Sequence, residues 1–580
     1  MRILLLTHAF NGLAQRLHVA LREAGHEVSV ELDIADAVTE EAVALWRPDA
    51  VVAPFLKRRI PEAVWSRRPC LVVHPGPPGD GGPSSLDWAI LRGLRHWGVT
   101  VLQATGALDG GPVLAWRGFA LREGASKSSV YRHELTTAAV AAVAAALEVL
   151  GRPGGAAAVP PVDAWPHGPT GWQPLLTRAR RQVDWAADDT ATVLRKIRSA
   201  DGNPGAVGAL AGREWRLFDA HEASAAVLAE HRAPSVAPGM LLARRGPAVL
   251  VATRDAALWI GHLRGAGDEA LDALKLPAVE QLEADALPEA ALPLGHAPDE
   301  WDELRLECWG PDGARVAWLS VEAHNGALSE RQCRRLCGVL RELRREPLQL
   351  LVLAGGADFF CNGIHLHAIE AAAHRAGDSA ADASWRNIQA IDDVVLELLT
   401  LDDRLTVAAL RGNAGAGGCF VALACDEVWA HEGVVLNPHY KNMGNLYGSE
   451  YWTYTLPRRV GAVAAEAIMQ RRLPTGAPQA LRDGLLDACF AADAAAFEAQ
   501  ARERASALAA SPTLAQRLAQ KAARRAADEA RRPLAEHRAA ELERMQRNFF
   551  GFDPSYHVAR HHFVHRKPHA WTPRHLAVHR

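Results

Sequence analysis

One stretch decides the fold of the amino-terminal part of this 580-residue chain, and it reads Cys70-Leu-Val-Val-His74-Pro-Gly-Pro-Pro-Gly-Asp-Gly-Gly-Pro-Ser84-Ser85. Its first residues predict a buried strand, which ends at His74 before a loop rich in glycine and proline. Active sites of open α/β sheets form at the edge where the carboxyl ends of the strands lie. The stretch therefore predicts an α/β fold in which His74 either belongs to a site or is a solvent-facing residue that ends a strand.

The sequence before this stretch predicts the rest of a doubly wound, Rossmann-like sheet. Apolar strand patterns occupy residues 3–6, 27–32 and 50–53, and a helical pattern occupies residues 13–24. Strands that alternate with helices predict a parallel sheet covered on both faces. We assign this first unit to residues 1–165.

Two proline-rich stretches separate further units. Residues 153–174 predict a linker, and residues 175–290 combine a helical pattern with short β-like runs, which is typical of a small OB-like β-barrel. Residues 304–547 alternate strands with helices and end in Ala/Arg/Glu-rich helices. The last segment, 549–580, is a tail rich in histidine.

The bulk composition excludes several classes of protein. The chain is 49% hydrophobic and 23% charged with a net charge of −3, and its charges are interspersed, which argues against a nucleic-acid partner. Its eight cysteines form no CxxC pair and are expected to be free thiols in a reducing compartment. No apolar run reaches about 18 residues, and residues 1–7 indicate a strand and not a signal peptide. We expect a cytoplasmic protein with no membrane partner.

A second segment supplies a carboxylate for the site at His74, and it reads Gly106-Ala-Leu-Asp109-Gly110-Gly111-Pro112. An imidazole can stabilise the oxyanion of a tetrahedral intermediate while a carboxylate orients it and relays protons. His74 and Asp109 in one cleft would suit formyl transfer between an amine and a nucleophile.

These motifs resemble the folate-dependent formyltransferases, a family that includes methionyl-tRNA formyltransferase. The resemblance continues through Ser128-Ser129-Val130-Tyr131 into the second unit. It implies that His74 and Asp109 are catalytic, that Phe55-Leu56-Lys57 lies beside the pterin, and that 10-formyltetrahydrofolate is the formyl donor. The family has an asparagine two residues before the histidine, where this chain has Val72. Ser84, Ser85 or a backbone amide would then supply the missing hydrogen-bond donor.

Two glycine-containing turns follow strands in the back half, at Leu353-Ala-Gly355-Gly356-Ala-Asp-Phe359-Phe360-Cys361-Asn362-Gly363-Ile364 and at Gly412-Asn413-Ala414-Gly415-Ala416-Gly417-Gly418. Together they resemble the enoyl-CoA hydratase/isomerase, or crotonase, family, whose fold is a β/βα spiral. The resemblance implies that the amides of Ile364 and Gly417 form an oxyanion hole for an acyl-CoA carbonyl. The alternative is a pair of structural turns.

The two glutamates with which hydratases activate water are replaced in this chain. Phe420 stands at the first position, and His439 stands at the second, so hydration of an enoyl-CoA is not expected. Tyr440 and Glu450 are the candidates for acid/base work near this site. Tyr440 is alternatively a packed aromatic residue, and Glu450 is alternatively a helix-capping acid.

Two further segments read Gly79-Asp-Gly-Gly-Pro-Ser-Ser-Leu-Asp-Trp88 and Gly448-Ser-Glu-Tyr-Trp-Thr-Tyr454. With them, the fusion as a whole resembles the HoxX family of hydrogenase maturation proteins. That resemblance implies formyl transfer from 10-formyltetrahydrofolate to coenzyme A, followed by decarbonylation of formyl-CoA to carbon monoxide for a [NiFe] hydrogenase. Partners would be these small molecules together with the hydrogenase maturation machinery. Arg132 and Arg544 are candidates to bind the phosphates of CoA, although either could be an ordinary surface arginine.

Two rival functions remain open from the sequence. One is formylation of a small amine by an enzyme whose back half only binds acyl-CoA. The other is a non-catalytic scaffold or nickel carrier, suggested by the histidines of the tail. The pattern from His557 to His562 can put two imidazoles on one helix face, but no acidic or cysteine partners complete a site. We therefore predict no metal and consider a polar, partly disordered end the simpler interpretation.

Overall fold

The computed structural model describes residues 1–152, 165–168, 170–231, 236–267 and 269–580. Most of the predicted linker, residues 153–164 and 169, lies outside these ranges. Three sheet-containing units follow one another along the chain, and the predicted α/β class is confirmed.

The first unit is a six-stranded sheet in the order β2-β1-β3-β4-β5-β6. Its strands are β1 (Arg2–Thr7), β2 (Glu27–Leu32), β3 (Ala50–Phe55), β4 (Cys70–His74), β5 (His96–Gln103) and β6 (Val113–Ala120). Its helices are α1 (Gly12–Glu23), α2 (Asp36–Trp46), α3 (Glu62–Trp65), α4 (Ser85–Leu91), α5 (Lys127–Val130) and α6 (Thr136–Leu150).

The prediction of a parallel sheet is right for β1 to β4 and wrong for β5, while β6 again runs in the direction of β4. β5 runs antiparallel to β4 and to β6. A short hairpin loop joins β5 to β6, and only antiparallel neighbours can be joined so directly. This hairpin brings the loop that carries Asp109 back to the end of β4.

The long apolar helix of this unit belongs to its core. Residues Lys127–Leu150 are helical and apolar enough to span a membrane by length and composition alone. In the structure, however, Ala139, Ala142, Val143 and Ala146 are fully buried in the same hydrophobic cluster as the sheet residues Leu5 and Val101. The helix therefore covers one face of the sheet.

The second unit is an antiparallel sheet in the order β7-β8-β11-β10-β9, with β12 paired to β11. The strands are β7 (Ala206–Leu210), β8 (Arg213–Glu222), β9 (Leu241–Arg245), β10 (Ala248–Ala252), β11 (Ala257–Gly265) and β12 (Leu276–Pro277). The helices are α7 (Arg178–Arg181), α8 (Thr190–Ala200), α9 (Ala225–His231) and α10 (Ala278–Gln281).

The third unit repeats one strand pattern around two sheets. A strand of the large sheet β13-β14-β16-β19-β21-β24 is followed by a short strand of the small sheet β17-β20-β22-β23, as in β16 then β17 and β19 then β20. The strands are β13 (Leu304–Trp309), β14 (Val316–Val321), β15 (Ala327–Leu328), β16 (Leu350–Gly355), β17 (Phe359–Cys361), β18 (Gly363–Ile364), β19 (Leu405–Leu410), β20 (Asn413–Gly415), β21 (Glu427–Ala430), β22 (Val435–Asn437), β23 (Thr475–Gly476) and β24 (Ala488–Cys489).

Helices pack around the two sheets of this unit and continue towards the end of the chain. They are α11 (Glu330–Leu343), α12 (Leu366–Ala372), α13 (Ala380–Leu399), α14 (Gly417–Leu423), α15 (Trp452–Val460), α16 (Ala462–Gln470), α17 (Ala477–Arg482), α18 (Ala494–Ala509), α19 (Leu514–Arg531), α20 (Leu534–Phe550) and α21 (Ser555–Val564).

The carboxyl-terminal residues form a strap over the first sheet, so the interpretation of a partly disordered end is wrong. Residue Leu576 accepts a hydrogen bond from the amide of Val30 at 3.0 Å, beside β2. The fully buried carboxylate of Glu31 binds Thr572, His579 and Arg580. Burial alone would raise the pKa of Glu31, but these hydrogen bonds outweigh it and lower the pKa below its ordinary value.

We predict that Glu31→Ala destabilises the protein by about 3 kcal/mol, because it removes the buried carboxylate to which His579, Thr572 and Arg580 are bound. The unfolding midpoint at pH 7 should fall by roughly 5 °C or more. Because the folded-state pKa is depressed, the contribution of Glu31 exists above its unfolded pKa and is lost as pH falls through the folded value. Calorimetry should therefore show the difference closing in acid.

The matched control is Glu27→Ala, since Glu27 is an exposed acid on the same strand. Equal stability of the two variants would contradict this account of the strap.

Candidate functional site

The first site lies at the carboxyl end of β4, where His74 is held between two carboxylates. His74 is buried, its Nε2 lies 2.9 Å from Oδ2 of Asp80, and its Nδ1 lies 3.7 Å from Oδ2 of Asp109. Asp109 has a φ of +50° and accepts a hydrogen bond from the amide of Gly82. The structure thus brings the two predicted residues, His74 and Asp109, together. It adds Asp80, which binds one ring nitrogen of His74, so that the other ring nitrogen faces Asp109.

In the loop after His74, position 76 has no room for a side chain. A Cβ there would overlap Asp80, His74 and Ser85. Ser85 donates its hydroxyl proton to the carbonyl of Pro75 at 2.7 Å. Its proton is therefore used, and it cannot also replace the family's missing amide donor.

Ser84 and Val72 are placed differently around the same loop. Ser84 accepts a hydrogen bond from the amide of Leu176 at 3.1 Å and keeps its own proton available. Val72 packs in the small core that also contacts Leu56. Of the two serines, Ser84 is thus the one whose proton is not committed to the loop.

The predicted folate loop begins at the end of β3. Phe55 and Leu56 are half-buried and Lys57 is exposed. The carbonyl of Phe55 accepts a hydrogen bond from the amide of His8 at 2.7 Å, which joins the ends of β1 and β3. The loop therefore lies at the same edge of the sheet as His74, and its contact with a pterin stays a prediction.

In the third unit, the two glycine turns meet. The position that a Cβ on Gly363 would take lies 3.3 Å from the amide nitrogen of Gly417, so the turn that carries Ile364 lies directly against the start of α14. Ala416, just before Gly417, has a φ of +46°, a strained conformation for alanine. Two neighbouring backbone turns of this kind can present amides to one carbonyl oxygen.

Glu450 closes this turn pair from the other side. A Cβ on Gly417 would overlap the carboxylate of Glu450, so glycine is required there for the close approach. The hydroxyl of Tyr440 donates a short hydrogen bond to Oε2 of Glu450, and the ring of Tyr440 stacks on Phe420 with centroids 5.4 Å apart. The two acid/base candidates therefore form one unit beside the predicted oxyanion hole.

The helix-capping alternative for Glu450 is wrong. The amides at the start of α15, those of Tyr451 and Thr453, donate to the buried carboxylate of Glu541 at 2.9 and 2.8 Å. Glu450 itself has a φ of +59° and turns its side chain back towards Gly417. The capping role belongs to a residue some ninety positions away in the sequence.

Buried acids surround Glu450 and change its protonation. Asp392 accepts hydrogen bonds from the Ser449 hydroxyl and the Glu450 amide, both at 2.8 Å. Burial first, and then the like charge of Asp392, raise the pKa of Glu450 well above its usual range. Burial also raises the pKa of Tyr440, with a further contribution from Glu450. At neutral pH this pair holds protons that exposed carboxylates would have lost.

His439 does not join this pair. It is buried, and neither ring nitrogen has a hydrogen-bond partner among the residues that the structure describes. Burial, with a smaller contribution from His575, lowers its pKa to about 4, so the imidazole is neutral.

The first and third units are clamped together next to the turn that carries Ile364. Asp358, one residue before β17, accepts a hydrogen bond from Ser129 at 2.6 Å and forms ion pairs with Arg132 at 2.6 Å and His133 at 3.2 Å. Burial alone would raise the pKa of Asp358, but these partners lower it well below its usual range. A second bridge joins Asn437 to Gln15 at 3.1 Å.

The two arginines predicted to bind CoA differ in their surroundings. Arg132 stacks on Phe359 and pairs with Asp358, so its charge is already compensated. Arg544 is exposed on α20 and lies over the ring of Tyr447. No contact in the described part of the chain joins Arg544 to Arg132.

Other basic residues near Arg132 have no acidic partner. Arg264, Lys275 and Arg566 form no ion pair within the ranges that the structure describes; Arg264 and Arg566 donate to the carbonyls of Pro204 and Gly202. Burial, and then the charges of Arg566 and Arg216, lower the pKa of Arg264 to about 10. Burial also lowers the pKa of Lys275 to about 8; the charge of Asp201 opposes this shift, and the like charges of Arg566, Arg264 and Arg132 add to it.

Local sequence patterns did not point to Asp358, Asp392 or the basic residues Arg264, Lys275 and Arg566. Asp80 could have been suspected, because it lies inside the glycine-rich loop that follows His74. The others are brought in by contacts between distant segments, which local patterns do not record.

Comparisons with known proteins agree with this division of the chain. The formyl transferase C-terminal domain family matches residues 175–277, and the enoyl-CoA hydratase/isomerase family matches residues 317–574. The hydrogenase maturation factor HoxX of Bradyrhizobium diazoefficiens is 50% identical over 589 aligned residues, which cover 100% of this chain and 97% of that protein.

Two further relatives fit the same pattern. The methionyl-tRNA formyltransferase of Pelobacter propionicus is 27% identical over 235 residues, or 40% of this chain and 69% of that protein. A crystal structure of HypX from Aquifex aeolicus in complex with tetrahydrofolic acid superposes with a TM-score of 0.91 and 43% identity, and covers 100% of this chain and 99% of that one.

We predict that Asp392→Asn lowers the pKa of Glu450 towards its ordinary value, because it removes a like charge and keeps an oxygen that can accept from Ser449. Infrared titration of the protonated-carboxyl band should move to lower pH. Asp393→Asn is the control, since Asp393 is the neighbouring acid on α13 but bonds Arg538 on the outside of the site. An unchanged or upward-moving titration in the Asp392 variant would overturn the proposed coupling.

Proposed function

Because the chain belongs to the HoxX family of hydrogenase maturation factors, we propose that it makes carbon monoxide for a [NiFe] hydrogenase from formyltetrahydrofolate and coenzyme A. The observation that carries the proposal is the Tyr440–Glu450 pair, which lies against Gly417 where the hydratase glutamates are absent. A site of this kind suits an acyl thioester that needs one proton moved and no water added.

The first step is formyl transfer at His74. The formyl carbon moves from N10 of the folate to the CoA sulfur, so the N–C bond breaks, a C–S bond forms and the thiol proton goes to N10. His74 stabilises the oxyanion of the tetrahedral intermediate, and Asp80 and Asp109 orient its ring and relay the proton. Ser84, whose proton is not committed to the loop, is the candidate donor to the formyl oxygen in place of the family's asparagine.

The second step is decarbonylation beside Gly417. The amides of Ile364 and Gly417 polarise the thioester carbonyl, the C–S bond breaks, and HC(O)–S-CoA yields CO and HS-CoA without any other reactant. Glu450, protonated and hydrogen-bonded to Tyr440, gives its proton to the departing sulfur and takes up the formyl proton in exchange, so the pair ends in the state in which it began. Phe420, stacked on Tyr440, keeps water from the thioester.

The unpaired cations offer a fitting place for the phosphates of CoA. Arg264, Lys275 and Arg566 are basic side chains that form no ion pair within the described ranges, and the charges of Arg264, Arg566 and Arg132 all act on Lys275. Phosphate oxygens would supply the missing negative charge. We propose these three residues as the phosphate ligands in place of Arg544, with Arg132 as the clamp beside them.

Two sets of variants should separate the two steps. We expect His74→Ala to abolish CO production from formyltetrahydrofolate and CoA but to keep CO production from formyl-CoA supplied directly. Tyr440→Phe and Glu450→Gln should lower CO production from either source by about 10²–10⁴-fold and leave tetrahydrofolate formation intact. Headspace CO captured by haemoglobin and tetrahydrofolate absorbance are the two measurements.

Tyr454→Phe is the control for these variants, because its hydroxyl bonds Asp528 away from Gly417. If His74→Ala lost CO production from formyl-CoA too, or if a small amine were formylated without any dependence on CoA, the two-step scheme would be refuted.

A separate prediction concerns affinity. Lys275→Ala and Arg566→Ala should each weaken CoA binding about tenfold or more, since a hydrogen bond to a charged group contributes about 1.5–3 kcal/mol. Arg544→Ala, which changes an exposed arginine outside this group, should bind CoA as the unmodified protein does. Isothermal titration calorimetry with CoA measures both, and the reverse ranking would refute the assignment.

A further inference from the structure

We propose that Glu370, His561 and His565 form a binding site for a divalent first-row transition-metal ion. Glu370 lies on α12, whereas His561 lies on α21 and His565 directly follows it. The near nitrogens of both imidazoles approach the same carboxylate oxygen, Oε1 of Glu370, at 2.9 Å from His561 Nδ1 and 3.1 Å from His565 Nε2. The three donor atoms are therefore close enough together to bind one ion.

The donor set and its spacing suit such an ion. Two histidines and one carboxylate, with a fourth position left to water, are a common set of zinc ligands. Histidines four residues apart lie on one face of a helix, and these two rings have centroids 4.2 Å apart. Metal–nitrogen bonds of about 2.0–2.1 Å place tetrahedral donors roughly 3.3 Å apart, close to the separations seen here.

The surroundings hold the carboxylate in a ligating position. Arg560 binds the other oxygen of Glu370 at 2.7 Å and is itself bonded to His557. Oε1 is thus left to the two histidines. Outer contacts of this kind orient metal ligands.

The site has both a rigid base and an opening to solvent. The Glu370 side chain is 6% exposed and that of His565 is 9% exposed, whereas that of His561 is 46% exposed. Beneath them, Ala371 of α12 and Val564 of α21 pack with Leu274 and Leu276 of the second unit. An ion can enter beside His561 while the helices stay fixed.

Binding needs no net loss of protons. Each imidazole now points a ring nitrogen at the carboxylate, and a move of the ring proton to the far nitrogen frees a lone pair for the metal. The site would then tie the start of the carboxyl-terminal strap to α12, which begins two residues after Ile364.

The full-length protein, freed of metal with a chelator, is to be titrated with Co²⁺ as a spectroscopic probe. We expect one equivalent to give the visible absorption of a low-coordinate cobalt centre and Zn²⁺ to displace it. His561→Ala and His565→Ala should lose that equivalent, and Glu370→Gln should weaken it at least tenfold. His562→Ala should keep it, because His562 is the neighbouring exposed histidine of α21 outside the Glu370 contacts.

The fold of each variant is checked by its unfolding midpoint in chelator. Because the His561 side chain is largely exposed, its alanine variant should unfold close to the midpoint of the unmodified protein, so that a lost equivalent reports the site itself. Absence of a stoichiometric cobalt spectrum in the unmodified protein, or equal cobalt binding by the His561 and His562 variants, would overturn the proposal.

Discussion

The carboxylate of Asp358 accepts bonds from Ser129, Arg132 and His133, and this contact joins the amino-terminal unit to the turn that carries Ile364. Asp358 stands one residue before β17, so any rotation of one half against the other would move the turn that carries Ile364. Three donors from one helical segment hold its charge despite partial burial, which would otherwise favour protonation. The relation between the two sites therefore depends on this clamp.

Close approach of backbone and carboxylate governs the chemistry of the back half. Gly417 has no side chain, so the carboxyl group of Glu450 lies directly against the amide that would bind a carbonyl oxygen. Asp392 and burial keep that carboxyl group protonated at neutral pH, and Tyr440 shares a hydrogen bond with it. A hydratase needs ionised carboxylates and water at this place, whereas this arrangement holds protons beside the aromatic ring of Phe420.

Local patterns in the sequence were enough for the fold class, the order of the units and the residues that end strands, such as His74. That the turns of Ile364 and Gly417 meet was implied by the resemblance to the crotonase family and not by these patterns. They failed where distant segments meet. The hairpin β5-β6 reversed β5 in the sheet, Glu541 capped α15 in place of Glu450, and Glu370 met histidines 191 and 195 residues later in the chain. Such pairings depend on tertiary packing, which the periodicity of apolar residues in the sequence does not reveal.

The central claim is that one chain carries a formyl group from folate through a thioester to carbon monoxide. A single-turnover reaction with 10-[¹³C]formyltetrahydrofolate and CoA tests it most directly, with the label followed into every product. The account predicts ¹³CO in the headspace equal in amount to the tetrahydrofolate formed, with CoA recovered as the free thiol. Label that ends in formate or in stable formyl-CoA, without ¹³CO, would contradict it.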